Sequence, residues 1–174
     1  MDEVLILPYD RRWPTLYEAE ATRLALALPS GLVLSIDHIG STAIPGMPAK
    51  PVIDILLLVT SAALARATAV GPLEALGYAY WADNPHPDRL FFVKGLPPAA
   101  PHRTHHVHMR EPGEDHRGRL LFRDHLRANP DEAARYAALK YELAARHGAD
   151  REAYTDAKSV YVEAVLEKSA GRRA

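Results

Sequence analysis

The chain contains no cysteine. Disulfides, thiol catalysis and thiolate metal sites are therefore excluded, and nothing in the sequence points to an oxidising compartment. Neither sign of charge dominates: 21 Lys and Arg stand against 22 Asp and Glu, a formal net charge of −1. That balance argues against a general electrostatic DNA binder and leaves room only for local basic patches. No run reaches the roughly 18 apolar residues expected of a membrane span. The opening M-D-E-V-L-I-L-P-Y-D lacks the basic start and long apolar segment of a signal peptide, so a cytoplasmic location is expected. Internal repeats and low-complexity segments are also missing.

What is present is ordinary in bulk. With 174 residues, 48% of them hydrophobic and 25% charged, the chain suits one domain, 1–174, large enough for a sizeable core. Its most informative stretch is D-H-I-G-S-T-A-I-P-G-M-P-A-K-P-V-I-D-I-L-L-L-V at 37–59. Residues 31–39 are rich in branched side chains and predict a strand. Gly40, Ser41 and Thr42 break it, and Ser or Thr there is placed to cap a short helix with its backbone N–H groups outward. Pro45, Pro48 and Pro51 forbid a long helix before the next strand at 52–59. That strand is apolar except for Asp54, and a carboxylate so placed must be paired, protonated or bound. A structural Asp would cap a loop or pair with Lys50; a functional one would ligate a metal beside the Gly40–Ser41 turn.

Upstream, Glu3 to Leu7 predicts a short strand or extended arm. Residues 13–28 predict an amphipathic helix with Leu16, Ala19, Arg23, Leu26 and Ala27 near helical spacing. Ser61 is placed to cap a helix over 62–76, with Gly71-Pro72 suggesting two pieces and Gly77 ending it. Residues 77–81 and 89–94 predict strands joined by the polar loop 82–88, and 104–110 (T-H-H-V-H-M-R) predicts another. On that last strand His106 and His108 share a face, a recurrent metal-ligand or acid/base arrangement that also occurs among structural histidines. Helices are predicted over 118–128, 130–148 and 153–169. Mixed elements over 1–110 followed by helices over 115–170 favour an α/β or α+β core with a helical C-terminal layer.

The helices carry a basic cluster. Arg123 and Arg127 are four apart, Tyr136 and Lys140 repeat that spacing, and Tyr154, Lys158 and Tyr161 lie near it. Any one of these suits a solvated helix face. Three successive helices that each offer Arg or Lys beside an aromatic point to phosphate or nucleotide contact.

With these residues assembled, the chain resembles the GrpB family, whose domain also occurs fused to dephospho-CoA kinase. The resemblance rests on D-H-I-G-S-T-A-I-P-G-M-P-A-K-P-V-I-D-I at 37–55, H-V-H at 106–108 and F-R-D-H-L-R at 122–127. It continues through Tyr136 and Lys140, Tyr154 and Lys158, and upstream through Trp13, Tyr17 and Glu20. The family is similar to the nucleotidyltransferase fold of polymerase-β-like enzymes. This resemblance implies an α+β fold: a nucleotidyltransferase-like mixed β-sheet core with helices packed on it and a helical C-terminal segment. Ile39-Gly40-Ser41 matches the start of that superfamily's pattern, and Asp54 follows thirteen positions after Ser41. The pattern's second carboxylate is replaced by Leu56. Two-metal phosphoryl transfer needs carboxylates around ions about 4 Å apart, which one Asp cannot supply.

The resemblance therefore implies one divalent ion, Mg²⁺ first and Mn²⁺ or Zn²⁺ next, held by Asp54 with His106 and His108 from a neighbouring strand. Asp54, His106 and His108 would also carry the catalysis. Gly40, Ser41, Thr42 and Lys50, with Arg123, Lys140 and Lys158, would bind the phosphates of a nucleotide or another phosphate-bearing small molecule. A metal-dependent nucleotidyltransferase or related phosphoryl-transfer protein is the first expectation, with an RNA acceptor left open. A binding module for a nucleotide or coenzyme-A precursor, in line with Leu56, is the second, and a hydrolase using the His pair the third. Oligomeric state has no signature in the sequence.

Overall fold

The computed structural model describes residues 4–84, 89–98 and 100–171, side chains at 151–152 and 168–171 excepted. Five strands build one sheet: β1 (Val33–Ile39), β2 (Ile53–Val59), β3 (Tyr78–Tyr80), β4 (Arg89–Lys94) and β5 (His105–Arg110). Their spatial order is β1-β2-β5-β4-β3. Only β2 and β5 run parallel among the paired strands; the other pairs are antiparallel. Six helices complete the α+β fold: α1 (Trp13–Ala27), α2 (Ala62–Thr68), α3 (Val70–Ala75), α4 (Glu114–Ala128), α5 (Pro130–His147) and α6 (Arg151–Gly171).

Strand alternation divides the sheet into two faces. Ile53, Ile55, Leu57 and Val59 of β2 join Val107, Met109, Leu90 and Phe92 in the main core, against Trp13 and Leu24 of α1 and Ala65 and Leu73 of α2 and α3. Asp54 and Leu56 point to the other face. Beside that face a second apolar cluster joins Ile44 and Met47 of the 40–52 loop to Leu126 of α4 and Tyr136 of α5. The outer edge of β1 is pinned by side chains: Tyr17 donates its hydroxyl to the Ile36 carbonyl (2.9 Å), and Arg123 donates to that of His38 (3.0 Å).

Several sequence expectations are revised. The inward stripe of α1 is Trp13, Glu20 and Leu24, whereas Leu26 is 83% exposed. The Glu20 carboxylate is buried because Lys94 Nζ (2.7 Å) and the Tyr78 hydroxyl (3.0 Å) both donate to it. Ser41–Ala43 does form a short 3₁₀ turn, yet no side chain caps it, and its N-cap is Gly40 with φ of 72°. Ser61 caps α2 as expected, accepting from the Leu64 N–H, but the break before α3 falls at Ala69, just ahead of Gly71-Pro72. The arm expected at Glu3 to Leu7 is held by a bridge between Leu7 and Ala49 and by the Val4 N–H donating to the Gly148 carbonyl (2.9 Å), and Glu3 lies outside the described residues. Residues 85–88 of the expected 82–88 loop also lie outside them. Helix α4 begins at Glu114, earlier than expected. Among the described residues no helix is long and apolar enough to cross a membrane.

Candidate metal centre

The parallel register of β2 and β5 sets Asp54 beside His106 and Leu56 beside His108. Asp54 and the two imidazoles therefore rise from one face of the sheet's central pair. Asp54 Oδ1 lies 3.0 Å from His106 Nδ1 and 3.7 Å from His108 Nε2. One ligand atom from each of the three residues falls within 4.8 Å of the others, a spacing compatible with a single ion. Both histidines are buried, while the Asp54 side chain remains 30% exposed, so the carboxylate is reached from one side.

Charge is fixed by these neighbours. Burial opposes ionisation of Asp54, but the hydrogen bond with His106 and the neighbouring His108 imidazole outweigh it and hold the carboxyl well below the usual carboxylate range. Burial lowers His108 to about 4, against the opposing pull of Asp54, so the imidazole is neutral near pH 7. An ionised carboxylate beside a neutral imidazole is the protonation state that metal binding requires. His106 Nε2 and His108 Nδ1 are buried with no hydrogen-bond partner among the described residues. Either the rings donate from their Asp-facing nitrogens, or those nitrogens offer lone pairs and a cation lies between them and Asp54. The donor set fits the second arrangement as well as the first.

Two features hold the geometry. The Phe91 ring packs against both imidazoles, with centroids 5.2 Å from His106 and 4.8 Å from His108. Gly40 closes over Asp54 so tightly that an added Cβ would lie 2.6 Å from Oδ2. Its positive φ and this close approach both call for glycine at the end of β1.

On the helical side of Asp54 stands Tyr136, buried and close to the Ser41 side chain. Burial and the Asp54 charge raise its phenol above the ordinary range, so it stays protonated. Lys140 Nζ lies 5.0 Å from the Tyr136 ring centroid and donates to the Pro48 carbonyl. Lys50 and Lys158 share the neighbouring Tyr154 ring, at 5.1 and 5.9 Å. Burial first, then the charges of Lys158 and Lys50, lower Lys140 to about 7. Three lysines on three chain segments thus gather around the Tyr136 and Tyr154 rings.

The remaining residues singled out in the sequence serve the turn itself. Thr42 Oγ1 lies 3.0 Å from His38 Nε2 and 3.4 Å from the Val52 carbonyl. Arg127 donates twice to the Ala43 carbonyl, at 3.0 and 2.7 Å. Arg123 donates to the His38 carbonyl and grips Asp124 with two nitrogens. In this arrangement both arginines hold the 38–43 backbone in place. Asp54 finds its partners in the histidines, and Lys50 lies over Tyr154. Sequence spacing singled out Tyr136 only as a neighbour of Lys140; its contact with Ser41 crosses from α5 to the loop and leaves no local signature.

Comparison with known proteins agrees with this architecture. The family model described as GrpB protein matches residues 3–168. The chain is 50% identical over 167 residues to the UPF0157 protein PA4798 of Pseudomonas aeruginosa, covering 95% of this chain and 67% of that protein. It is 38% identical over 178 residues to a protein of Mycolicibacterium paratuberculosis named dephospho-CoA kinase, covering 89% of this chain but only 43% of that protein. The crystal structure of conserved protein GrpB from Enterococcus faecalis superposes with a TM-score of 0.84 at 29% identity, covering 97% of this chain and 99% of that one. On the extent of the family match and the agreement in fold, the chain belongs to the GrpB family.

Proposed function

We propose that the chain binds a nucleotide or closely related phosphate ester at a single divalent cation and acts on it by phosphoryl or nucleotidyl transfer. The observation that carries this reading is the convergence of Asp54, His106 and His108 on one ion-sized space, together with three lysines gathered around the Tyr136 and Tyr154 rings. Asp54 supplies the hard oxygen and the histidines the nitrogens. That mixed donor set favours Mn²⁺ or Zn²⁺ over the Mg²⁺ expected from the sequence. The cation would neutralise phosphoryl oxygens when bound. Lys50, Lys140 and Lys158 would take the remaining phosphate charge, and Ser41, close to Tyr136, would present its backbone to the ligand. Thr42, Arg123 and Arg127 would keep the turn in position.

A second reading has its own support. Leu56 is fully buried where the polymerase-β pattern has a second carboxylate, so a two-ion cage is not formed from this strand. A protein that binds its nucleotide without turning it over would fit that replacement.

A thermal-shift screen of nucleotides and coenzyme-A precursors with Mg²⁺, Mn²⁺ or Zn²⁺ tests the proposal, with ³¹P NMR of each stabilising mixture. A ligand that binds the folded state raises the melting temperature by mass action. The expected outcome is a shift that needs both metal and nucleotide and disappears in Asp54→Ala. New phosphorus resonances would assign transfer or hydrolysis; unchanged resonances would assign binding alone. A nucleotide shift that survives both chelation and Asp54→Ala would overturn the metal-centred reading.

A further inference from the structure

We infer that Trp81 is a stacking platform for the planar base of the nucleotide whose phosphates the metal centre receives. The inference rests on the metal-and-phosphate reading given above and adds where the other end of the ligand lies. Trp81 directly follows β3 and continues its pairing, donating its N–H to the Phe91 carbonyl at 2.9 Å. Tyr78 and Tyr80 turn into the main core, so Trp81 shares the opposite face with Phe91 and His108. The three rings form a row across the sheet. Trp81 and Phe91 have centroids 5.7 Å apart, Phe91 and His108 4.8 Å.

The row changes character along its length. His108 and Phe91 are buried, at 8% and 7% exposure, whereas Trp81 is 47% exposed. A large aromatic that is packed on one side and open on the other, at the end of a row leading from a metal centre, offers a flat surface for another ring. Its distance from Asp54 suits that use. β3 and β2 are separated by three strand spacings of about 4.8 Å, and Trp81 lies in register with Leu56, two residues along from Asp54, so Trp81 and Asp54 stand roughly 16 Å apart. An extended nucleotide spans such a gap, with phosphates at the cation and base at the indole. The Arg89 guanidinium lies over the Phe91 ring, 5.1 Å from its centroid, and adds positive charge beside the row.

Stacking on an aromatic is tolerant of base identity, because every base has a π face. The site should therefore distinguish nucleotides from bare polyphosphate more sharply than it distinguishes one base from another.

The chain itself carries the probe. It has two tryptophans, and Trp13 is buried in the main core at 3% exposure. The full chain with Mn²⁺ or Zn²⁺ is titrated with ATP, GTP, CTP and UTP and with inorganic tripolyphosphate, following indole emission and thermal shift together. Nucleotides should alter the emission of the exposed indole and bind on the order of ten-fold more tightly than tripolyphosphate. Trp81→Ala should remove that advantage and leave tripolyphosphate affinity unchanged. Trp81→Phe should keep most of the advantage while losing the emission change, which separates ring stacking from general damage. Two results would overturn the inference with the metal-and-phosphate reading intact: tripolyphosphate binding as tightly as nucleotides, or nucleotide affinity unaffected in Trp81→Ala. Metal-dependent binding of none of these ligands would overturn both.

Discussion

Gly40 and Asp54 meet so closely that a methyl group on the first would lie 2.6 Å from a carboxylate oxygen of the second. The conformation of the chain leaving β1 and the position of the proposed metal ligand on β2 are therefore one structural fact. Gly40→Ala should be damaging twice over, through its φ of 72° and through the clash. We expect a stability loss of about 1 to 3 kcal/mol in urea melts, and weakened metal binding although no ligand atom is altered. Unchanged metal affinity in a folded variant would show that the close approach does not set the position of Asp54.

Asp54→Asn keeps the shape of the side chain and removes its charge. Loss of a residue that merely supports a ligand typically lowers metal affinity about 10- to 100-fold, so loss of the carboxylate itself should exceed that range. Calorimetric titration with Mn²⁺ and Zn²⁺ reads the effect. An affinity within about two-fold of wild type would remove Asp54 from the metal shell.

Lys140 sets a pH dependence of definite sign. Its ammonium is lowered from 10.5 to about 7 in the folded protein by burial and by Lys158 and Lys50. Between those values the unfolded chain binds the extra proton, so this group makes stability rise with pH from about 7 to 10.5. Wild type compared with Lys140→Met in denaturant melts across that window should show the rise only in wild type. Anion binding should move oppositely, weakening as pH rises through 7, because deprotonation removes one positive charge. A bound polyphosphate should shift that loss to higher pH.

His38 governs part of the acid limb. Burial, reinforced by the charges of Arg127 and Arg123 against that of Asp54, lowers it to about 4, and its ring stacks on Tyr17 with centroids 4.6 Å apart. Between pH 6.5 and about 4 the unfolded chain takes up a proton that the folded chain refuses, so stability falls as pH falls through that window. His38→Gln should flatten the fall, with up to roughly 3 kcal/mol at stake. Some acid sensitivity should persist through His108, which burial depresses in the same direction. Melting curves from pH 7 to 4 check this, and a variant as acid-sensitive as wild type would exclude His38 as a contributor.

Much of the candidate site was legible because its informative residues break strong local patterns. Asp54 interrupts an apolar strand and Gly40-Ser41 ends one, and the period of two placed His106 and His108 together before any pairing was known. What the pattern did not contain was register. Nothing local states that β5 lies parallel beside β2, and only that pairing brings His106 to Asp54. Glu20 leaves no local signal of its burial, because the groups that complete its hydrogen bonds, Lys94 and Tyr78, lie more than fifty residues away in sequence. Spacing alone suits Lys140 to a solvated helix face, yet among the described residues it is one of the most buried side chains. Burial of a polar group is decided by partners, and partners are a tertiary property.

The lysines around Tyr136 and Tyr154 carry a consequence for how the protein comes into being. Lys50 lies in the loop before β2, Lys140 on α5 and Lys158 on α6, so the sheet holds the proposed metal ligands while α5 and α6 bring most of the ammonium charge. A nascent chain that has released β5 but not α6 already owns Asp54, His106 and His108. It lacks Tyr154, the ring on which Lys50 and Lys158 meet. On the proposed function, competence for a polyphosphate would therefore wait until α6 has docked and brought Tyr154 and Lys158 into place.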